Sequence, residues 1–159
     1  MDLHSLIEEL ALALKSRQAM LVTAESCTGG WVSQVITSSP GSSHWFDRGF
    51  VVYTNVAKRE MLDVSTDVLA RFGAVSEQTV RAMAEGALRH SRAQFSLAIS
   101  GIAGPGGGTE EKPVGTVWFA WAGRNRETRT QKQQFSGDRQ QVRAQAVETS
   151  LRGMLEFIG

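Results

Sequence analysis

Apolar residues recur along the chain with two spacings, and these predict a succession of helices and strands. Between Leu3 and Leu14, leucine and isoleucine return every three or four positions, which predicts a one-sided helix over about residues 2–17. Short apolar runs without that spacing have the length of buried strands. Four such strands are predicted, at residues 20–24, 50–53, 95–99 and 114–122.

A fifth strand is predicted at residues 126–135, at an edge of the sheet, because polar residues occupy both of its faces. Further helices are predicted at about residues 31–37, 55–62, 66–72 and 77–90, and from 139 onwards. Ser76 is suited to cap one of them, and Asp138 with Gln141 has the spacing of a capping box. The pattern predicts an α/β fold, a three-layer α/β/α arrangement with a mixed, largely parallel sheet of about five strands. Residues 1–159 are expected to form a single domain.

Charge and cysteine content narrow the class of protein. Lys and Arg total 17 and Asp and Glu total 16, a net charge of +1, which does not favour binding to nucleic acid. No apolar run is long enough to cross a membrane. Cys27 is the only cysteine, so no internal disulfide is possible and a cytoplasmic location is expected. The few His and Cys residues have no metal-ligand spacing, so no metal site is expected.

The turn at residues 25–30 lies between a predicted strand and a predicted helix. Backbone N–H groups at a helix start lack partners inside the helix and favour an anion or a developing oxyanion. Ser26 in this turn is the candidate nucleophile, and Cys27 and Thr28 are its rivals. The alternative is that Ser26 or Thr28 only caps the helix.

A second turn follows the strand at residues 95–99. Five of the eight residues from 101 to 108 are glycine, and the segment matches neither a Walker A loop nor a dinucleotide fingerprint. Because both turns follow strands, both are expected at the carboxyl edge of the sheet, where open α/β sheets bind ligands. A flexible connection is the alternative.

Lys58 is the third candidate. The chain has four lysines against thirteen arginines, and only lysine can become a neutral base at accessible pH. If Asn55 caps the helix, Lys58 lies in its first turn, where the helix dipole would lower its pKa. A solvated surface lysine is the alternative. Arg139 and Arg143 share one face of the last helix near its start, a suitable place for a phosphate or carboxylate.

Several segments in this order resemble the CinA family, and more closely its C-terminal domain, the nicotinamide mononucleotide deamidase of bacteria. The segments that carry the resemblance are residues 25–30, 53–55 with Lys58, 100–107, 112–117 and 137–139. The resemblance covers about residues 5–157. It differs at Ser100, where the family often has threonine, so the hydroxyl is kept and a methyl group is lost.

The resemblance implies hydrolysis of the carboxamide of nicotinamide mononucleotide to nicotinate mononucleotide and ammonia, in pyridine nucleotide salvage, without cofactor or metal. It implies that Ser26 is the nucleophile, Lys58 the general base and Tyr53 a residue that positions or relays the proton. Backbone amides around Thr28–Gly30 would hold the oxyanion, and Arg139 would add positive charge to the pocket. The residues implied to bind substrate are Thr28, Gly29, Gly30, Asn55, Ser100, Gly101, Gly104 and Arg139.

Two other functions stay open at this point. The same turns could grip a nucleotide without reaction, or the chain could be an interaction protein linked to competence and DNA damage. The expected partner is a small nucleotide substrate, with neither nucleic acid nor membrane, and a homo-oligomer, a dimer, is expected.

Overall fold

The computed structural model describes all residues from Met1 to Gly159. Its helices are α1 (Leu3–Ser16), α2 (Trp31–Thr37), α3 (Asn55–Leu62), α4 (Thr66–Phe72), α5 (Glu77–Arg89) and α6 (Arg139–Ile158). Its strands are β1 (Leu21–Glu25), β2 (Phe46–Val51), β3 (Phe95–Gly101), β4 (Thr116–Gly123) and β5 (Arg129–Gln134). A short 3₁₀ turn covers Ser42–His44. No helix is both long and apolar enough to cross a membrane.

The five strands form one mixed sheet in the order β2-β1-β3-β4-β5. β1 pairs in parallel with β2 and β3, whereas β4 is antiparallel to β3 and β5. In this register Glu25 lies between Val51 and Ile99. The carboxyl ends of three parallel strands therefore meet at one edge, as predicted for the two turns.

Helices cover both faces of the sheet, which confirms the three-layer prediction. Large side chains such as Leu97 and Phe119 point to the face packed by α1, α2 and α6. Small ones such as Ala98 and Ala120 point to the face packed by α5, since side chains alternate along a strand. At Gly86 of α5 an added Cβ would collide with the carbonyl of Leu62, so α3 docks closely there.

Several local predictions are confirmed. Ser76 accepts a hydrogen bond from the backbone N–H of Thr79 at the start of α5. Asp138 and Gln141 form both halves of a capping box at the start of α6. β5 lies at an edge of the sheet.

Two predictions around β2 and α3 are wrong. β2 covers residues 46–51 instead of 50–53, because the chain leaves the strand at Val52 and turns toward α3. The N-cap of α3 is Thr54 and not Asn55, since the Thr54 hydroxyl accepts from the backbone N–H of Ala57. Lys58 therefore lies at the fourth helical position of α3, one residue beyond the predicted one.

Candidate active site

A cleft of about 260 Å³ opens at the carboxyl edge of the sheet. Ser26 follows β1 directly, and its backbone N–H still donates to the carbonyl of Ile99 in β3. Lys58 reaches the cleft from α3, Ser100 from the end of β3, and Arg139 from the start of α6. Residues from separate segments of the chain thus meet in one pocket.

Ser26 and Lys58 form a hydrogen-bonded pair, although 32 positions separate them in the sequence. Lys58 Nζ lies 2.9 Å from Ser26 Oγ. The same Nζ lies 3.0 Å from the carbonyl oxygen of Val52 and 3.2 Å from that of Tyr53. A neutral amine has two N–H donors and one lone pair, and these suit two carbonyls and one hydroxyl proton. The surroundings of Lys58 therefore fit a base directed at Ser26.

Burial supports a neutral Lys58. The residue is only 1% exposed. Loss of hydration lowers the pKa of Lys58 from 10.5 to about 8, because burial penalises the charged form. From the sequence, the helix dipole alone gives too small a shift, so desolvation and a nearby cation such as Arg139 are also required; desolvation is the dominant cause in the structure.

The two rival nucleophiles have other surroundings. Burial raises the pKa of the Cys27 thiol to about 11, which disfavours the reactive thiolate near neutral pH. The Thr28 hydroxyl donates to Glu25 at 2.7 Å and is fully buried. Ser26 is the only one of the three with an amine at hydrogen-bond distance.

Glu25 fills the start of α2 with a buried carboxylate. Its Oε1 accepts from the Thr28 hydroxyl and from the amides of Gly30 and Val32, and its Oε2 accepts from the amide and hydroxyl of Ser33. These neutral donors satisfy the carboxylate without a cation. The carboxylate itself occupies the positive end of the helix dipole. The sequence did not assign this role to Glu25, because a glutamate after a strand does not reveal where its side chain turns.

The amides of Gly29 and Gly30 do not have the oxyanion-binding role that the family resemblance implies. The amide of Gly29 donates to the Ser26 carbonyl and that of Gly30 to Glu25, so neither is free for an oxyanion. Their φ angles of +59° and +102° explain the need for glycine. The amides of Cys27 and Thr28 make no hydrogen bond, which leaves them as the available donors beside Ser26.

Tyr53 contributes to the site in two ways. Its carbonyl accepts from Lys58, and its hydroxyl accepts from Arg139 Nη2 at 3.2 Å. The other terminal nitrogen of Arg139 donates to the Gly104 carbonyl at 2.8 Å. Arg139 thereby links Tyr53 to the glycine-rich loop across the cleft. The Tyr53 hydroxyl makes no hydrogen bond to Ser26 or Lys58, so the structure gives it no direct place in a proton relay.

Ser100 and Gly101 line the cleft from the end of β3. Ser100 is 1% exposed, and its hydroxyl makes no hydrogen bond inside the protein. Arg129 Nε is the only buried side-chain polar atom without a partner, so the Ser100 hydroxyl is open to the cleft and available to a ligand there. Gly101 is required because an added Cβ would approach Val117 Cγ2 to 2.7 Å.

The other residues predicted to bind substrate do not line the cleft: Thr28, Gly29, Gly30, Asn55 and Gly104. Asn55 is exposed on α3, and the Gly104 carbonyl accepts from Arg139. Sequence reasoning missed Ala74, Val75 and Ala103, which line the pocket with small apolar surfaces. For Ala74 and Val75, the available signal was their position between Gly73, which ends α4, and the Ser76 cap of α5. No group of three or more His, Cys, Asp or Glu side chains is placed to hold a metal ion.

The fold and the pair together define a class: α/β proteins with a candidate serine–lysine site at the carboxyl edge of a mixed sheet. The chain belongs to the family described as CinA C-terminal domain, whose model matches residues 3–158. This confirms the resemblance found in the sequence.

Curated relatives cover nearly the whole chain. It is 56% identical over 151 residues to "Nicotinamide-nucleotide amidohydrolase PncC" of Escherichia coli strain K12, with 95% of this chain and 92% of that protein covered. It is 45% identical over 153 residues to the protein of the same name from Pseudomonas putida, with 96% and 95% covered. A crystal structure of competence/damage inducible protein CihA from Agrobacterium tumefaciens superposes with a TM-score of 0.95 at 45% identity, covering 99% of this chain and 96% of the other.

Proposed function

We propose that this protein is a nicotinamide-nucleotide amidohydrolase that converts nicotinamide mononucleotide to nicotinate mononucleotide and ammonia. The names of its curated relatives supply the substrate class. The observation that carries the mechanism is the 2.9 Å contact between Ser26 Oγ and the buried amine of Lys58.

In the first half of the reaction, Ser26 Oγ attacks the carboxamide carbon while neutral Lys58 takes the hydroxyl proton. The developing oxyanion accepts from the free amides of Cys27 and Thr28. When the C–N bond breaks, Lys58 returns the proton to the nitrogen, which leaves as ammonia. An ester between the nicotinoyl group and Ser26 remains.

In the second half, a water molecule attacks that ester. Lys58 takes a proton from the water and returns it to Ser26 Oγ, so the nicotinate carboxyl group leaves and the enzyme is restored. The same base therefore serves both halves. The Tyr53 and Val52 carbonyls hold the amine in place throughout, since they accept from Nζ.

Binding is assigned to the walls of the cleft. The unpartnered Ser100 hydroxyl is placed to accept or donate a hydrogen bond to the substrate. Arg139 brings the positive charge that a nucleotide phosphate requires at the cleft mouth. The start of α2 is not assigned to the phosphate, because Glu25 occupies it.

We also propose the cytoplasmic location and the dimer that the sequence predicts. Val51, Tyr53 and Val56 are apolar or aromatic, exposed and near the cleft, which supports a contact between two copies. Light scattering on the purified protein measures this state directly.

The test of the activity is release of ammonia from nicotinamide mononucleotide by the purified protein, compared with Ser26→Ala. We expect turnover by the wild type and a loss of about a thousandfold or more in Ser26→Ala, because the nucleophile is gone. Ser38→Ala is the matched control, since Ser38 is exposed and bonds only to its own helix. Nucleotide binding without ammonia from the wild type would contradict the proposal, and normal turnover by Ser26→Ala would contradict the nucleophile.

A further inference from the structure

Arg143 of α6 makes its contacts with the backbone of the turn that holds Ser26. Its Nε donates to the Cys27 carbonyl at 3.0 Å, and its Nη2 donates to the Thr28 carbonyl at 3.3 Å. Its guanidinium carbon lies 5.4 Å from the centre of the Trp31 ring. Arg143 does not line the cleft and bonds no carboxylate. The phosphate or carboxylate contact predicted for it from the sequence is therefore replaced by two backbone carbonyls.

These carbonyl contacts determine where the neighbouring amides point. A trans peptide is planar, and its N–H points opposite to its C=O. When Arg143 holds the Cys27 carbonyl, the N–H of Thr28 in the same peptide must point away from Arg143. In the preceding peptide the Ser26 carbonyl accepts from the Gly29 amide, which likewise fixes the N–H of Cys27.

Every other donor in this region already has a partner. The amides of Gly30, Val32 and Ser33 all donate to Glu25. The two amides whose directions are fixed by Arg143 and by the turn are also the two that make no hydrogen bond. The Thr28 carbonyl also accepts from the Trp31 amide, whereas the Cys27 carbonyl is held by Arg143 alone. Without Arg143, the peptide between Cys27 and Thr28 could rotate toward other partners.

We infer that Arg143 is a positioning residue for the oxyanion site: it fixes the peptide whose N–H, together with that of Cys27, stabilises the transition state. The inference rests on the proposed amidohydrolase activity and adds to it a residue that touches no substrate. Arginine suits this role because its planar group reaches two carbonyls at once, whereas a lysine amine is a single point donor.

The experiment compares Arg143→Met with Arg152→Met in the full-length protein. Both substitutions keep an apolar stem on α6, and Arg152 pairs only with Glu148 and with the Met1 carbonyl at the surface. We expect Arg143→Met to lower kcat by about 10- to 100-fold, below the full loss of an oxyanion donor, with KM within about twofold of the wild type. Arg152→Met should keep both constants.

A second readout separates positioning from a structural role. The aldehyde analogue of nicotinamide mononucleotide adds to Ser26 Oγ, and its carbonyl oxygen then occupies the oxyanion site. We expect its affinity for Arg143→Met to fall by the same factor as kcat, because both depend on the two amides. If Arg143 only stabilised the fold, the substitution would lower the unfolding midpoint, and the folded variant would bind the aldehyde as tightly as the wild type does.

Arg143→Lys covers the case in which the methionine variant does not fold. A lysine can donate to one of the two carbonyls, so an intermediate loss of kcat with unchanged KM supports the inference. A kcat within twofold of the wild type in either folded variant would overturn it, as would an increase in KM alone. A wild type that releases no ammonia would instead remove the proposed function, and this inference with it.

Discussion

Because the amine of Lys58 is buried, the free energy of unfolding of the protein is expected to change with pH in the alkaline range. We consider Lys58→Met, which replaces the amine by an apolar side chain of similar length. In the folded protein the pKa of Lys58 is lowered to about 8, against 10.5 ordinarily, because the side chain is buried. Between these values the unfolded chain holds the proton that the folded chain has released.

The direction and size of the change in the free energy of unfolding with pH follow from proton linkage. Because the unfolded state binds more protons between pH 8 and 10.5, the free energy of unfolding of the wild type rises with pH in that window. The difference between the two pKa values corresponds to about 3 kcal/mol. Below pH 8 both states are protonated, and this contribution no longer changes. The methionine variant lacks it at every pH.

The assay is urea denaturation of both proteins at intervals from pH 7 to 10.5. The absolute stability of Lys58→Met also includes the lost hydrogen bonds to Val52 and Tyr53, so the measured quantity is the difference between the two pH profiles. The Cys27 thiol, whose pKa is also shifted, is present in both proteins and largely cancels. Lys15→Met, at an exposed position on α1, is the control and should follow the wild type.

The kcat/KM of the enzyme should also change with pH near the pKa of Lys58. At pH 7 about a tenth of the Lys58 amine is neutral, and at pH 8 about half. We therefore expect kcat/KM to rise with pH to a plateau above about pH 9. Parallel unfolding profiles for the wild type and Lys58→Met, or an activity that is flat from pH 6 to 9, would refute the assignment of Lys58 as a desolvated base.

Two other substitutions test the turn and the cleft mouth. Glu25→Gln places an amide group where the carboxylate accepted from the Ser33 amide, so we expect a loss of about 2 kcal/mol in the free energy of unfolding, measured with urea; an unchanged midpoint would contradict the role given to Glu25. Arg139→Ala removes the cation at the mouth, so we expect KM for the nucleotide to rise about tenfold or more with a smaller effect on kcat. A KM equal to that of the wild type in steady-state kinetics would exclude Arg139 from phosphate recognition.

The position of the cleft could be predicted from the sequence, because the order of strands and turns places two turns at the same edge of the sheet. The approach of Lys58 to Ser26 came only from the family resemblance, since no local pattern predicts a contact across 32 positions. Desolvation was expected to lower the pKa of Lys58, but the burial that causes it depends on α3 docking at Gly86, which no local pattern predicts.

Backbone contacts were the least predictable part of the site. Arg143 and Arg139 lie one helical turn apart, and the sequence gives both the same expected ligand. Both donate to main-chain carbonyls, but Arg139 also lines the cleft, whereas Arg143 does not. Sequence alone does not distinguish these uses, because a guanidinium bonds carbonyls and phosphates with the same donors.

The carboxylate of Glu25 has a consequence for how ligands are selected. Many α/β proteins cradle a phosphate on the main chain where the first strand passes into its helix. Here that cradle is permanently filled by a side chain of the protein itself. Charge on an incoming molecule is therefore left to side chains at the cleft mouth such as Arg139, which single substitutions can alter without disturbing the turn that holds the nucleophile.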